Sequence, residues 1–478
     1  MGNSATVSGR GPRLISERWR AELLALFRLA APIVATQFAW VAMLITDTAM
    51  IGHLGPKPLA GATLSLMVFY LGYVFCFGVT MATAALAAQA YGARKPRNVR
   101  RVIRQGLWVT IILVTPCLIL FSQVTPLLGA LGQPQELFGY AEAYMTTLKW
   151  CLLPGIAFSV LRNFVSALGR PAPAFWVMLA GVPINAALDY GLIFGNFGLP
   201  RLGVTGAGVA TTTVNIVMFL SLAAIALRRR PFAKYEIFAR FWRPDWTYFR
   251  QIFLIGLPIA GISLMEAGFF IAAVFVMGWI GPIAIAAHMI AIQLPHLTFM
   301  MPMGLAQAAT VRVGQAVGRR DVAGAYHSGW VAFVVTLAVM AVMTIVILTI
   351  PELFASLFLD ASRPDTAAVL PLAISLLFLA AFFQLADGLQ AVAAGALRGL
   401  NDTAIPMVIA GVSYWGVGAG SGLWFAFEQN MGARGIWVGF IVGLTCASLV
   451  LVWRFAHQWR RGYLPPPVRS HDDPAHKA

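Results

Sequence analysis

Charged residues are scarce in this chain, and their scarcity excludes an ordinary soluble protein. Asp, Glu, Lys and Arg make up 11% of the 478 residues, whereas they make up about a quarter of a typical soluble domain. Hydrophobic residues account for 59% of the chain, and the mean hydropathy is +0.77. This composition predicts a polytopic membrane protein.

Cysteine is also rare, and the motifs of soluble enzymes are missing. The four cysteines, Cys76, Cys117, Cys151 and Cys446, have no metal-ligand spacing and lie in apolar runs, so we expect small core residues. No Walker A loop, HExxH motif or GxSxG elbow occurs in the sequence. We therefore expect neither an enzyme nor a cofactor. Without an ATP site, any uphill transport by this chain would have to draw its energy from an ion gradient.

Apolar runs long enough to cross a bilayer recur along the whole chain. About 20 helical residues cross the roughly 30 Å of hydrocarbon. Twelve such runs occur, at residues 25–50, 59–90, 105–127, 140–163, 173–195, 206–227, 250–278, 285–312, 327–350, 367–396, 404–425 and 433–454. We predict an all-α integral membrane protein with twelve transmembrane helices.

The basic residues follow the predicted topology. If the N-terminus lies inside, 28 of the 34 Lys and Arg residues fall on the cytoplasmic side and 4 fall outside: Lys57, Arg201, Arg363 and Arg434. This bias is the positive-inside pattern, and it puts both termini on the cytoplasmic side of the membrane. The net charge of +16 thus reflects topology, and we expect no nucleic-acid partner.

The chain contains two copies of one unit. At an offset of 226, residues 27–92 align with residues 253–318 without a gap and match at 14 of 66 pairs, half of which are glycine, proline or the pair of Gln89 and Gln315. A second stretch returns at an offset of 230 and includes Gly169 and Gly399. Six helices per copy give parallel repeats, related by a pseudo-two-fold axis along the membrane normal.

The repeat divides the chain into two lobes and three polar segments. We predict an N-terminal cytoplasmic segment (1–24), an N-lobe (25–227), a cytoplasmic linker (228–249), a C-lobe (250–456) and a cytoplasmic tail (457–478). We expect an interfacial amphipathic stretch in the linker.

Proline recurs inside the first helix of each lobe. Pro32 and Pro258 should each bend or weaken their helix. A static kink without a role in switching is the alternative, since membrane helices tolerate proline.

The two copies differ in the polar residues inside their spans. Asp47, Asn185 and Asp189 occur only in the first copy, and Glu266 and Asp387 only in the second. Each intramembrane carboxylate costs roughly 2.5–3.5 kcal/mol on insertion scales, so it should face the protein interior or water. Such acids can exchange a proton or bind a cation, although Asp47 could also be an ordinary interfacial acid.

Spacing and position separate the remaining polar residues. Asn185 and Asp189 are four residues apart and share one helix face, which favours a common polar site. Glu142 and Arg162 lie near opposite ends of the fourth helix, where snorkelling towards water explains both.

The ordered motifs resemble the multidrug and toxic compound extrusion (MATE) family, in its bacterial NorM-type branch. The resemblance covers roughly residues 25–455 and rests on TDTAMIGHLG, AAQAYGAR, PINAALDYGLIFG, MEAGFF, VGQAVGRRD and ADGLQAVAAGALRGLNDT. It implies a V-shaped pair of six-helix lobes in the bacterial inner membrane that exports mostly cationic, amphipathic compounds in exchange for H⁺ or Na⁺. We expect a monomer.

The resemblance also assigns site residues. It places Asp47, Asn185 and Asp189 in an N-lobe polar cluster that Thr211 joins. In the C-lobe it pairs Glu266 with Asp387, which is linked with cation binding in NorM-type members and makes a Na⁺ site possible there. Phe383, one turn before Asp387, stands where some relatives have a tyrosine, so the assignment of Na⁺ as the coupling ion is open.

Other transporters with two sets of six helices remain as alternatives. A MATE-related lipid-linked oligosaccharide flippase would line its cavity with arginine, whereas the candidates here are acids. A major facilitator transporter would carry an Asp-Arg-x-Gly-Arg core after the second helix, which AYGARKPRNVRR lacks.

Overall fold

The structure, a computed structural model, describes residues 12–349, 351 and 366–466. Three predicted features lie outside these residues: positions 1–11 of the N-terminal segment, the outside arginine Arg363, and positions 467–478 of the tail.

Among these described residues, twelve long apolar helices make up the membrane part, as the sequence predicts. They are α1 (Glu17–Gly52), α2 (Pro56–Gly92), α3 (Pro96–Phe121), α4 (Gln135–Ala167), α5 (Ala172–Phe194), α6 (Val204–Arg228), α7 (Trp246–Ile280), α8 (Pro282–Gly318), α9 (Val322–Thr349), α10 (Val369–Gly399), α11 (Ala404–Glu428) and α12 (Ala433–Arg460). Helical backbone extends α1 back to Pro12 and α10 back to Thr366. Most helices exceed their apolar runs, because regular backbone continues into the polar flanks.

A glycine and a proline begin the second helix of each lobe. Gly55 and Gly281 have φ angles of 118° and 141°, values that favour glycine, and Pro56 and Pro282 follow in the first turn. Proline suits this position because its missing N–H has no intrahelical partner there. The repeated Gly-Pro pair therefore makes the same sharp turn in both lobes.

Four of the twelve helices are interrupted. The helix α2 is divided at Met81, α4 at a 3₁₀ turn over Lys149–Cys151, and α8 at Phe299. The α8 break lies between two prolines, Pro295 and Pro302. In α11, π-helical segments occupy Val412–Gly418 and Trp424–Glu428. The prolines Pro32 and Pro258, in contrast, lie within continuous helices.

The two lobes meet through symmetry-related contacts of the repeated glycines. A methyl group added to Gly78 of α2 would lie 2.6 Å from the Cα of Ala260 in α7. One added to Gly304 of α8 would lie 3.0 Å from the Cα of Val34 in α1. At the offset of 226, Gly78 corresponds to Gly304 and Val34 corresponds to Ala260. The two contacts are therefore equivalent, which confirms the two-fold relation of the lobes.

The C-terminal ends of α2 and α8 meet backbone to backbone across the boundary between the lobes. Gly92 abuts the backbone of Gln315, and Gly318 abuts the backbone of Gln89. Basic residues follow at once, Arg94 and Lys95 in one copy and Arg319 and Arg320 in the other. We call this end of the molecule the basic side.

Polar contacts hold the lobes together on the basic side. The Gln89 amide Nε2 donates to the Gly399 carbonyl oxygen at 2.9 Å, and the Gln315 amide Nε2 donates to the Ala167 carbonyl oxygen at 2.9 Å. Arg312 of α8 pairs with Glu22 of α1. The boundary between the lobes is therefore closed on the basic side.

The linker is anchored to the N-lobe by its backbone. It contains one short 3₁₀ turn, Phe232–Tyr235, and its described residues 229–245 include no α-helix. Trp108 of α3 donates from Nε1 to the Phe241 carbonyl oxygen at 3.0 Å. Trp242 in the non-helical linker and Trp246 at the first position of α7 are 81% and 71% exposed, so both rings face outward.

Candidate functional site

The N-lobe polar residues converge from three helices. Asp47 near the end of α1, Asn185 and Asp189 in α5, and Thr211 in α6 are all buried, with exposed fractions of 9% or less. The four-residue spacing of Asn185 and Asp189 aims both side chains at the Asp47 carboxylate, with which both interact electrostatically. Asp47 is therefore a member of a buried cluster and not an interfacial acid.

Hydrogen bonding satisfies only part of this cluster. The Thr211 hydroxyl lies 3.0 Å from Asp47 Oδ2 and 3.0 Å from the carbonyl oxygen of Ala207, so its single hydrogen is shared. Asp47 Oδ1, both carboxylate oxygens of Asp189 and both amide atoms of Asn185 have no partner. Buried polar atoms are normally paired, so this concentration of free acceptors suits a proton or a bound cation.

Tyr144 is a neighbour of the N-lobe cluster that sequence reasoning missed. It lies in α4, is 1% exposed, and interacts electrostatically with Asp47 and Asp189. The sequence does not reveal Tyr144, because the residue is uncharged and its hydrophobic neighbours make it look like an ordinary core residue. No Lys or Arg is among the groups that act on the cluster within the described part of the chain.

In the C-lobe, Glu266 of α7 and Asp387 of α10 act on each other electrostatically. Asp387 is 5% exposed and its Oδ1 has no hydrogen-bond partner, while Glu266 is half-buried. The structure thus brings the predicted pair together, although 121 positions separate the two acids in the sequence. As in the N-lobe, the described neighbours that act on these carboxylates include no basic residue.

A tyrosine from α11 supplies a hydroxyl to the C-lobe pair. Tyr414 is fully buried and interacts with both Glu266 and Asp387. Gln390, one turn after Asp387, donates from Nε2 to the Tyr414 hydroxyl, and its own Oε1 has no partner. Phe383 lacks a hydroxyl, so the oxygen atoms around this acid pair come from Tyr414 and Gln390 instead.

Aromatic rings enclose the C-lobe pair. Phe270 packs against Phe383 and Phe440, with ring centroids 5.9 Å and 5.3 Å apart. Phe269 stacks on Tyr414 at 5.9 Å. Phe270 lies one turn after Glu266 and Phe383 lies one turn before Asp387, so these rings form an apolar surface next to the acids.

Glu266 also faces the N-lobe. Tyr70 of α2, which is 48% exposed, interacts electrostatically with Glu266 across the boundary between the lobes. Glu266 is half-buried and lies on the side of the C-lobe that faces the N-lobe. The molecule thus carries two acid sites, one in each lobe, which differ in composition and in surroundings.

A family model decides the relationship of the chain. The MatE model matches residues 32–191 and 258–424, one segment in each lobe. The chain belongs to the MatE family. Each matched segment begins at the proline of its lobe's first helix, so the match follows the internal repeat.

Curated relatives of this MatE-family chain are similar over nearly its whole length. A probable multidrug resistance protein NorM of Mesorhizobium japonicum is 41% identical over 460 residues, which cover 96% of this chain and 98% of the relative. A protein of the same name from Rhodopseudomonas palustris is 42% identical over 455 residues, with 95% and 96% covered.

Solved transporter structures share the fold. An outward-facing multidrug resistance MATE family transporter superposes with a TM-score of 0.85 at 21% identity, covering 93% of this chain and 97% of the other. The eukaryotic MATE transporter AtDTX14 superposes with a TM-score of 0.82 at 21% identity, covering 93% and 98%. These likenesses confirm the predicted arrangement of twelve helices in two lobes.

Proposed function

We propose that this protein is a secondary multidrug efflux antiporter that exports lipophilic cations in exchange for H⁺ or Na⁺. One observation carries the proposal: each lobe holds at least one buried carboxylate that has an unpartnered oxygen and, among the described residues, no basic neighbour. A buried carboxylate of this kind is stabilised by a proton, a metal cation or an organic cation. These three ligands can therefore compete for the same oxygen atoms. The names of the curated relatives support the same function.

Competition for a carboxylate couples the two flows. A lipophilic cation entering from the cytoplasm or the inner leaflet neutralises an acid, and an ion arriving from outside displaces it. An imposed potential of 100 mV contributes about 2.3 kcal/mol per transported charge. The lobes are closed on the basic side, which the positive-inside rule places in the cytoplasm. We infer that the structure represents a state closed to the cytoplasm and that both termini lie there.

The two acid sites suit the two candidate ions differently. A proton needs only a carboxylate, which either lobe provides. Sodium is a hard cation that prefers several oxygen ligands. In the C-lobe the unpartnered Gln390 Oε1 and the Tyr414 hydroxyl add oxygens to those of Glu266 and Asp387. This set supports Na⁺ as an alternative coupling ion at Glu266 and Asp387.

We propose that this transporter acts as a monomer in the bacterial inner membrane. On this proposal it has no catalytic activity, no cofactor and no nucleic-acid partner. A flippase would instead carry arginines at both sites, where the structure has acids and amides.

Cellular accumulation of ethidium tests the proposal. Cells that express the protein should accumulate less dye, and Glu266→Gln or Asp387→Asn should each remove this effect while the protein stays in the membrane. Glu142→Gln is the matched control, because Glu142 is exposed and accepts a hydrogen bond from Thr125 near the end of α4. Full efflux by both C-lobe variants would refute the assignment of the acids.

A further inference from the structure

Arg162 is a buried cation that the proposed export of cations does not use. The sequence suggests that it snorkels from the inner end of α4, but this prediction is wrong, because the side chain is only 5% exposed. Its Nη1 donates to Gln37 Oε1 at 3.0 Å, its guanidinium lies 5.6 Å from the centre of the Phe77 ring, and its Nε has no partner. Both contacts are electrically neutral groups.

No carboxylate compensates this charge. Among the ion pairs of the described residues, none includes Arg162, and Tyr73 is the only charged or titratable group that acts on it. Burying an ion without a partner is costly, and a neutral amide and an aromatic ring return only part of that cost. The free donor and the uncompensated charge therefore point to an anion that is present at another stage of the cycle.

Arg162 lies beside the boundary between the lobes. The next residue in α4, Asn163, accepts a hydrogen bond from Gln307 of α8 at 2.9 Å. Phe77 precedes Gly78, which approaches Ala260 of α7. The guanidinium is thus within one helical turn of contacts with the other lobe. Separation of the lobes on the basic side would open a path to it.

A row of aromatic rings runs between Arg162 and the N-lobe acids. The rings of Trp40 and Tyr73 lie 6.1 Å apart, and those of Tyr73 and Phe77 lie 5.8 Å apart, with interplanar angles of 12° in both pairs. On α1, Trp40 lies between Gln37, the partner of Arg162, and Asp47. A helical rise of about 1.5 Å per residue puts about 15 Å between the backbones at positions 37 and 47. The surface is aromatic, with a cation at one end and carboxylates at the other.

We propose that Arg162 binds the carboxylate of zwitterionic amphipathic substrates, whose flat rings lie on this aromatic row and whose amine points towards Asp47. The inference rests on the proposed transport function and assigns one residue of the protein to the recognition of substrates that carry a carboxylate. In the closed state the Gln37 amide oxygen occupies one donor, and an incoming carboxylate replaces it. The planar guanidinium can then donate two parallel hydrogen bonds to the carboxylate, which a lysine cannot do.

A pair of dyes that differ only at the carboxylate tests this inference. A rhodamine with a free benzoate is zwitterionic, and its methyl ester is a cation of nearly the same shape. We expect Arg162→Gln to lower the affinity ratio of acid to ester about tenfold or more, which is the effect of losing a charge-assisted hydrogen bond. The readouts are dye binding to the purified protein and uptake into proteoliposomes. Arg162→Lys should lower the ratio by less, because it keeps the charge but loses the planar fork.

Gln37→Glu provides a second variant that retains Arg162. A glutamate at this position would pair with the guanidinium and compete with the substrate, so the ratio of acid to ester should again fall about tenfold. A ratio within about twofold of the wild-type value in both variants would overturn the inference. So would a wild-type protein that exports the ester but does not bind the acid, and in that case the antiporter proposal would stand. Failure of the wild type to move the ester would refute the antiporter proposal itself.

Discussion

Adding one methyl group at Gly318 should open the boundary between the lobes on the basic side. In Gly318→Ala the new carbon would lie 2.8 Å from the Ala93 nitrogen and 2.9 Å from the Gln89 carbonyl carbon, and closer still to the Gln89 oxygen. All three atoms belong to the backbone, so no rotamer change relieves the overlap. Ordinary contact begins at 3.4 Å, which means that α2 must recede by more than half an ångström.

The size of the effect follows from this overlap. Overpacking of a well-packed contact costs about 1–3 kcal/mol. The higher helix propensity of alanine stabilises the closed and the open state equally, so it cancels from the free-energy difference between them. The closed state alone carries the overlap, so its population relative to the open state should fall about 5- to 150-fold.

Spin-label distances measure this shift. The labels belong at Arg97 and Ala323, which are exposed and equivalent at the offset of 226, in a variant with the four native cysteines replaced by alanine. Gly318→Ala should increase the weight of the longer distance at least about fivefold. Gly139→Ala is the control, because a methyl group there meets nothing within 4 Å. An unchanged distance distribution in Gly318→Ala would refute the closed boundary as described.

Two further variants test the oxygen atoms around the acids. Thr211→Val removes the hydroxyl beside Asp47 and should weaken binding of a cationic dye about tenfold. Thr213→Val is its control, because the Thr213 hydroxyl bonds only to its own helix, and this variant should bind the dye as the wild type does. Equal binding by the two variants would contradict the role of Thr211. Tyr414→Phe removes the hydroxyl near the C-lobe pair and should lower the rate of dye efflux several-fold, which corresponds to a rise of about 1 kcal/mol in the activation free energy. Tyr190→Phe, at a 46% exposed position, is its control, and unchanged efflux in Tyr414→Phe would contradict the assignment.

The sequence predicts the fold well because the bilayer imposes a strong pattern. Every backbone polar group inside hydrocarbon must be paired within a helix or a closed barrel, so twelve long apolar runs translate into twelve helices. The glycines of the repeat predict a duplicated scaffold. Their physical role, close contact between Gly92 and Gln315 and between Gly318 and Gln89, needs the pairing of α2 with α8, which a one-dimensional comparison does not contain.

The acids of the site are also predictable, because a charge inside a span is rare and costly. Their neutral partners are not. Tyr414 and Gln390 look like ordinary core residues until the structure places them beside Asp387. Arg162 shows the opposite error: its position near the helix end suggests snorkelling, but Gln37 of α1 and Phe77 of α2 cover its guanidinium.

Transport by purified protein in proteoliposomes tests the central claim most directly. The measurement is ethidium movement under an imposed H⁺ gradient and, separately, an imposed Na⁺ gradient, for the wild type, Glu266→Gln and Asp387→Asn. We predict that at least one gradient drives the wild type and that neither gradient drives either variant. Ethidium movement that ignores both gradients, or that is equally fast in the two variants, would contradict an ion-coupled antiporter whose buried acids exchange the ion for the drug.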